Sequence, residues 1–179
     1  MKRTRGPEFD ATDRAILELL QDNCKQHMAA IGQSVGLSAS SVLDRIHKLE
    51  EAGVITGYVA SVDARRLGKD VTAFIGVATD APRTIGSLER SIAAIGAVLE
   101  CHHVTGAHTF LLKVKVENTQ ALESLIAQVR GLDGVSATET LVVLSTTAER
   151  TRIPLDSHDE FVARPLRRSG GRARGGRGR

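Results

Sequence analysis

The chain has 179 residues, of which 41% are hydrophobic, so it is long enough for one medium or two small domains with a buried core. Aromatic residues make up 3% and tryptophan is absent, which predicts a core of Val, Ile, Leu and Ala and few stacking platforms for single-stranded nucleic acid. The net charge of +3 depends on seven arginines in residues 164–179; without them, 17 basic side chains remain against 21 acidic ones, which excludes a globally basic folded domain.

Residues 9–57 are predicted to form three short helices, because apolar residues recur there at spacings of three and four. Asp10 and Ser38 are natural N-caps for the first and third helices. The second helix is predicted over residues 28–35, and Gly36 is expected to end it in the left-handed conformation.

The third helix is a candidate DNA reader. A tight turn at residues 35–38 joins it to the second helix, and Gly32 is the small residue expected where the two helices meet. Hydroxyls near its start can approach base edges and phosphates, and basic side chains can reach the DNA backbone or guanine. The candidate DNA-binding residues are Ser38, Ser40, Ser41, Arg45 and Lys48. A three-helix packing unit with a solvated polar face is the alternative.

Beyond this region the pattern changes to β-branched strands. We predict a linker strand at residues 58–70 and, over residues 71–155, the order strand, helix, strand, strand, helix, strand. That order is the ferredoxin-like βαββαβ arrangement, so the fold class is α+β. Two helices would cover one face of the sheet, and a partner subunit would cover the other.

The two ends of the chain differ from the rest in composition. Residues 1–8 form a basic arm without the apolar segment of a signal peptide. Residues 156–179 are rich in Arg and Gly, and we expect this tail to be disordered. Such a tail either tracks DNA phosphates or only solubilises the chain, and both interpretations stay open.

Several ordered motifs resemble the Lrp/AsnC (feast/famine) regulators. The start at residues 9–17 is similar to that family's L-D-x-x-D-x-x-I-L, with Phe9 in place of Leu. The resemblance covers about residues 9–154 and is carried further by residues 36–38, 43–58, 100–106, 110–114 and 138–144. It implies a winged helix-turn-helix domain followed by a ferredoxin-like regulatory domain, in dimers that often assemble to octamers.

The resemblance also implies a function and an effector site. Family members are transcription regulators of double-stranded DNA, and many sense amino acids between dimers. Carried over, the candidate effector-binding residues are His102, His103, Gly106, Ala107, His108, Thr109, Thr138 and Thr140. Many relatives have an acidic residue where this chain, like the asparagine-responsive branch, has Thr109, so the usual anchor for an effector's ammonium group is missing. Ordinary hairpin and strand residues are the alternative.

Two other functions are possible for such a chain. An architectural protein that wraps DNA with little effector control is the first alternative. An enzyme is the second, since the fold family includes tetrapyrrole decarboxylases, but no nucleophile–base pair or phosphate loop supports it. Cys101 and His103 would share one strand face and His102 the other, so we expect no metal site and no cofactor. The absence of a membrane-length apolar run and of a disulfide framework predicts a cytoplasmic, nucleoid-associated protein.

Overall fold

The computed structural model describes residues 8–80, 82–155 and 161–162. Most of the predicted arm and most of the predicted tail lie outside these residues. The described chain divides into two compact units. One contains the described residues up to 60 and those from 150 onward, and the other contains residues 61–149.

Three helices build the first unit, as predicted. Helices α1, α2 and α3 span Ala11–Asp22, Met28–Val35 and Ala39–Glu51. Asp10 caps α1 by accepting a hydrogen bond from the Asp13 N–H, and the Asp13 carboxylate accepts one in return from the Asp10 N–H. This capping box satisfies two amides that the first turn leaves without helical partners.

The turn between α2 and α3 depends on two glycines. Gly36 ends α2 with φ of 71°, the left-handed conformation that only glycine adopts without strain. Gly32 is buried, and a Cβ at this position would lie 2.4 Å from the carbonyl oxygen of Leu37. Both predicted glycine roles are therefore confirmed: one turns the chain, and the other lets it pass close to α2.

The core of this unit forms two adjoining clusters of apolar side chains, which are aliphatic except for Phe9. Ile16, Ile31 and Val42, one from each helix, are completely buried in the first cluster. The second cluster contains Phe9, Leu17, Leu49 and, from the far end of the chain, Leu155. The three helices are thus held together by burial of apolar side chains that recur at spacings of three and four.

A two-stranded ribbon in the first unit is absent from the sequence-based prediction. Strand β1 (Glu8–Phe9) pairs antiparallel with strand β6 (Phe161–Val162), and Phe9 lies opposite Phe161. A pair of two-residue strands has too little length to show an alternating pattern, so periodicity could not reveal it.

The second unit has the predicted βαββαβ order. Its strands are β2 (Val71–Ala78), β3 (Val98–His103), β4 (Phe110–Val116) and β5 (Ala137–Val142), and its helices are α4 (Ile85–Ala93) and α5 (Thr119–Arg130). The sheet is antiparallel, in the order β3-β4-β2-β5. The ferredoxin-like prediction is confirmed.

Buried and partly exposed side chains alternate along the central strands, and this alternation decides which face of the sheet is buried. On β4, Phe110, Leu112 and Val114 are completely buried and pack with Leu88 of α4 and Val129 of α5. The residues between them point to the opposite side, which we call the outer face of the sheet. Strand pleating alone produces this division.

The outer face carries both apolar and charged side chains. Leu141, which lies opposite Phe74 on this face, is more than half exposed. Lys113 pairs with Glu100 at 3.2 Å and also with Glu149, and the hydrogen bond to Glu149 is the main reason that the pKa of Lys113 is raised. No element of the described chain covers this face with a hydrophobic layer.

The linker differs from its prediction. Residues 58–70 contain no strand, and Arg65–Leu67 form a 3₁₀ turn. A β-branched sequence becomes a strand only when another strand satisfies its N–H and C=O groups, and no described strand of this chain pairs there. Within the described chain, no helix is long and apolar enough to cross a membrane.

Candidate functional site

Helix α3 presents a stripe of four exposed side chains. Ser40, Leu43, Asp44 and His47 lie at positions i, i+3, i+4 and i+7, and therefore on one side of the helix. Leu43, 42% exposed, offers an apolar contact of the kind that reads a thymine methyl group. Leu43 and His47 are missing from the sequence-based prediction, because only hydroxyl and basic residues were considered there.

The three predicted serines cluster at the start of α3. Ser38 Oγ accepts a hydrogen bond from the Ser41 N–H at 3.2 Å and lies 3.0 and 2.8 Å from the hydroxyl oxygens of Ser40 and Ser41. The hydroxyls therefore sit beside the amides of the first helical turn, where a phosphate oxygen is favourable. The first role of Ser38 is structural, because its side chain caps the N-terminus of α3.

Arg45 has a different environment from the one predicted. Its Nη1 donates to Asp13 Oδ1 at 2.8 Å and to Asp10 Oδ2 at 2.9 Å, and its side chain is 29% exposed. These hydrogen bonds, the one to Asp13 first, raise the pKa of Arg45. Burial alone would raise the pKa of Asp10, but the Asp13 amide and Arg45 together hold it below its ordinary value. Arg45 thus joins α3 to the capped start of α1.

Lys48 is exposed and lies on the same side of α3 as Arg45. Both line a groove of about 780 Å³ together with acidic residues of α1 and α3. The groove is lined by Phe9, Asp10, Asp13, Ser41, Asp44, Arg45, Lys48, Glu51 and Ala52. Acidic side chains outnumber basic ones on this flank.

The linker residue Tyr58 is tied to the end of α3. Its hydroxyl donates to Glu50 Oε1 at 2.8 Å, and burial, followed by this hydrogen bond, raises the pKa of Tyr58 to about 12. The contact fixes the chain as it leaves the helix-turn-helix unit.

The predicted effector residues lie at one end of the sheet but on two faces. Strand register places His103, Phe110, Val77 and Thr138 in one row on the helix-covered face. His102 begins the neighbouring row, on the outer face. Four strands spaced about 4.8 Å apart separate the first and last members of a row by about 14 Å.

The hairpin between β3 and β4 holds the remaining candidates. Gly106 turns it with φ of 117°, and Ala107 beside it is exposed. The Thr109 N–H donates to the Val77 carbonyl at 2.8 Å, which fixes the base of the hairpin on β2. Thr140 lies opposite Ile75, on the helix-covered face.

His108 folds back from the hairpin onto the outer face. Its Nε2 lies 2.8 Å from Glu139 Oε2, and its buried Nδ1 has no hydrogen-bond partner among the described residues. The ring occupies the space above Gly76, where a Cβ would come within 2.5 Å of His108 Cδ2. Gly76 and Glu139 are missing from the sequence-based prediction; a glycine inside a buried strand pattern is the signal that could have indicated a close approach.

The structure therefore does not bring all eight predicted effector residues around one small molecule within a single chain. His102 and His108 belong to the outer face, whereas His103, Thr138 and Thr140 belong to the helix-covered face. Among the described residues, no cluster of three or more His, Cys, Asp or Glu side chains is placed to hold a metal ion.

Comparisons with known proteins find a matching family for each of the two units. The family described as winged helix-turn-helix DNA-binding matches residues 9–56, and the Lrp/AsnC ligand binding domain matches residues 72–153. The regulatory protein AsnC of Escherichia coli K12 is 34% identical over 151 residues, which cover 82% of this chain and 97% of that protein. The HTH-type transcriptional regulator FL11 of Pyrococcus horikoshii is 30% identical over 147 residues, which again cover 82% of this chain and 97% of that protein.

Solved structures agree in fold. The structure of E. coli AsnC superposes with a TM-score of 0.77 at 32% identity, covering 82% of this chain and 99% of that one. The transcriptional regulator NMB0573 of Neisseria meningitidis, solved as an L-Met complex, superposes with a TM-score of 0.79 at 27% identity, covering 83% and 97%. In both comparisons nearly all of the other chain is matched, whereas this chain has further residues outside the matched region.

Proposed function

The chain belongs to the Lrp/AsnC family of transcription regulators, and on that premise we propose that it binds specific double-stranded DNA sites and is controlled by an amino acid. The observation that carries the proposal is the exposed stripe of α3, which is oriented by a helix-turn-helix whose glycine turn and N-cap are both in place. We assign it no catalytic role, because its relatives are named as regulators.

The DNA-reading surface is proposed to centre on Ser40, Leu43 and His47. The start of α3 would approach phosphates through its serine hydroxyls and free amides, while Leu43 and His47 contact base edges. Lys48 would contact the flanking backbone. Arg45 is assigned to the orientation of α3, because its guanidinium is already held by two carboxylates.

Effector control is proposed to need more than one chain. The candidate residues occupy two faces at one end of the sheet, and a second subunit would complete a pocket around either group. The outer face, which carries the exposed side chain of Leu141 as well as ion-paired side chains, supports a homodimer that buries it. Further assembly, for example to an octamer, would place the effector between dimers, and the protein would act on the nucleoid.

Thr109 and Glu139 define what kind of effector would fit. Thr109 cannot supply the carboxylate that many relatives use for an ammonium group. Glu139, exposed and paired with His108 at the same end of the sheet, is the carboxylate that we propose as a substitute. A neutral-side-chain amino acid is the class we propose, with methionine, seen bound to a relative, as one member.

Selection of binding sites from a random duplex library, followed by footprinting with each of the twenty amino acids, tests the proposal. We expect a short pseudo-palindromic site and a change in affinity with at least one amino acid. Leu43→Ala should alter the preferred bases. A long footprint without sequence preference and without response to amino acids would favour the architectural alternative.

A further inference from the structure

Asp44 carries the negative charge of the exposed stripe of α3, whose other members are Ser40, Leu43 and His47. It follows Ser40 by four residues, which is about 6 Å along the helix axis. The N-terminal half of a recognition helix is the part that reaches base edges, and Asp44 is the sixth of the 13 residues of α3. Its carboxylate therefore belongs with the side chains proposed to read bases.

The Asp44 carboxylate has no ion-pair partner among the residues that the structure describes. Arg45, the next residue, donates through Nη1 to both Asp10 and Asp13. Lys48 lies one turn further along α3 and lines the same groove as Asp44, but the described side chains of these two residues form no salt bridge. The exposed carboxylate thus keeps its hydrogen-bonding capacity for another molecule.

A free carboxylate on a DNA-reading helix selects bases because it accepts hydrogen bonds and cannot donate them. In the major groove, guanine presents the acceptors N7 and O6, and thymine presents the acceptor O4 beside a methyl group. Donors come only from the amino groups of adenine N6 and cytosine N4. Adenine N6 lies next to the N7 acceptor, which repels a carboxylate, whereas cytosine N4 lies next to a C–H group. Cytosine is therefore the base that suits Asp44.

The same charge also opposes binding to other sequences. A carboxylate that enters the groove without finding a donor loses its hydration and stays close to the DNA phosphates. This cost falls on every duplex that lacks an amino group at the right position. Repulsion of the wrong partner raises specificity as effectively as attraction to the right one.

We propose that Asp44 is a specificity-determining residue, whose carboxylate accepts a hydrogen bond from the N4 amino group of a cytosine in the preferred DNA site. The inference rests on the proposed function, because it takes α3 as the element that reads DNA. Asp44 gives the chain a preference for a C·G pair at one position of each half-site, and it lowers affinity for duplexes that lack this pair.

The first experiment measures base preference with the full chain. The wild type selects its site from a random duplex library, and each base pair of that site is then replaced in turn. For Asp44→Ala we expect the preference for C·G at one position to fall by about five- to fiftyfold, with the preferences elsewhere unchanged. Asp44→Asn should move the preference at that position towards A·T, because an amide can pair with both N6 and N7 of adenine.

A base analogue tests the proposed hydrogen bond itself. In the selected site, the cytosine is replaced by 2-pyrimidinone, which lacks the 4-amino group but still pairs with guanine. The wild type should lose affinity by a factor similar to that caused by Asp44→Ala. The affinity of Asp44→Ala should change little, which also controls for the weaker base pair.

Glu51→Gln is the matched control for charge. Glu51 is the exposed last residue of α3, two turns beyond Asp44, and it lines the same groove. Removing its charge should tighten binding to the selected site and to a scrambled duplex by the same factor, without a change in preference. Asp44→Ala should tighten binding to the scrambled duplex and weaken binding to the selected site. Thermal melts of all variants should match that of the wild type, because the exposed Asp44 has no described partner to lose.

The possible failures separate the two proposals. If Asp44→Ala keeps the wild-type preference at every position, or only repeats the effect of Glu51→Gln, the role of Asp44 is wrong and the proposed function stands. An altered position at which the wild type does not prefer C·G would overturn the assignment to cytosine. Loss of all preferences together with a lower melting temperature would show that Asp44 stabilises α3 instead. A wild type without any base preference would overturn the proposed function, and the role of Asp44 with it.

Discussion

Arg45 of the recognition helix and Asp13 of α1, 32 residues apart in sequence, form a 2.8 Å ion pair. The carboxylate belongs to the capping box that begins α1, and the guanidinium lies on the flank of the helix proposed to enter DNA. The residue that looks most like a DNA contact is thereby a link between two helices.

This ion pair predicts that alanine substitutions of two basic residues of α3 will affect DNA binding differently. Arg45→Ala should weaken specific DNA binding by loosening the orientation of α3 but leave the salt slope of binding unchanged. Lys48→Ala, the matched control, should make the slope shallower by about 1, because it removes one phosphate contact. A slope change for Arg45→Ala equal to that for Lys48→Ala would show that Arg45 leaves its carboxylates to contact DNA.

The same network predicts an acid-sensitive contribution to stability. Because the pKa of Asp10 is lowered in the folded chain, its ionised form stabilises the fold above the unfolded carboxyl pKa of about 3.9, and this contribution is lost as pH falls through the folded value. Asp10→Asn keeps an N-cap but removes the charge. Urea unfolding should show the variant less stable than wild type at pH 7, with the difference shrinking as the pH is lowered through the folded pKa of Asp10.

Two helical glycines should respond to alanine in opposite directions. At Gly32 in α2, the added Cβ meets the Leu37 carbonyl at 2.4 Å, so we expect destabilisation by about 1–3 kcal/mol. At Gly86 in α4, the nearest atom is the end of Arg90, 3.9 Å away, and alanine should stabilise by about 0.5–1 kcal/mol through helix propensity. Chemical denaturation measures both, and equal effects would argue against the close approach at Gly32.

The packing of His108 on Gly76 predicts a compensating pair of substitutions. Gly76→Ala alone should displace the imidazole ring, break its contact with Glu139 and destabilise the fold by roughly 1 kcal/mol or more. His108→Ala removes the clashing ring, so the double variant should recover most of that loss. Unfolding free energies of the four chains form a double-mutant cycle, and strictly additive effects would contradict the contact.

Tyr58 is the single tyrosine of the chain, so its ionisation can be observed alone. Absorbance of the phenolate should give a midpoint at about 12 in the folded protein. Glu50→Gln should lower the pKa but leave it above the ordinary value, because burial is the larger cause. A wild-type midpoint at the ordinary tyrosine value would show that Tyr58 in solution is neither buried nor hydrogen-bonded to Glu50.

The local elements of this protein follow from its sequence. Asp10, Ser38 and Gly36 fix helix ends through hydrogen bonds and dihedral angles that depend only on neighbouring residues, and all three were predicted correctly. The alternating pattern of β4 and the helical spacing of α5 likewise indicated the βαββαβ order, because period and face are properties of a short segment.

Tertiary structure decided what each candidate residue contacts. Nothing near Arg45 in sequence shows that Asp13 holds it, and nothing near His108 shows that Gly76 leaves room for its ring. The linker region formed no strand, because strand formation requires a partner that the described chain does not provide. Gln21 and Ile153, which exchange two hydrogen bonds, lie 132 positions apart in the sequence. Contacts between distant segments depend on how whole units pack, so local sequence patterns do not determine them.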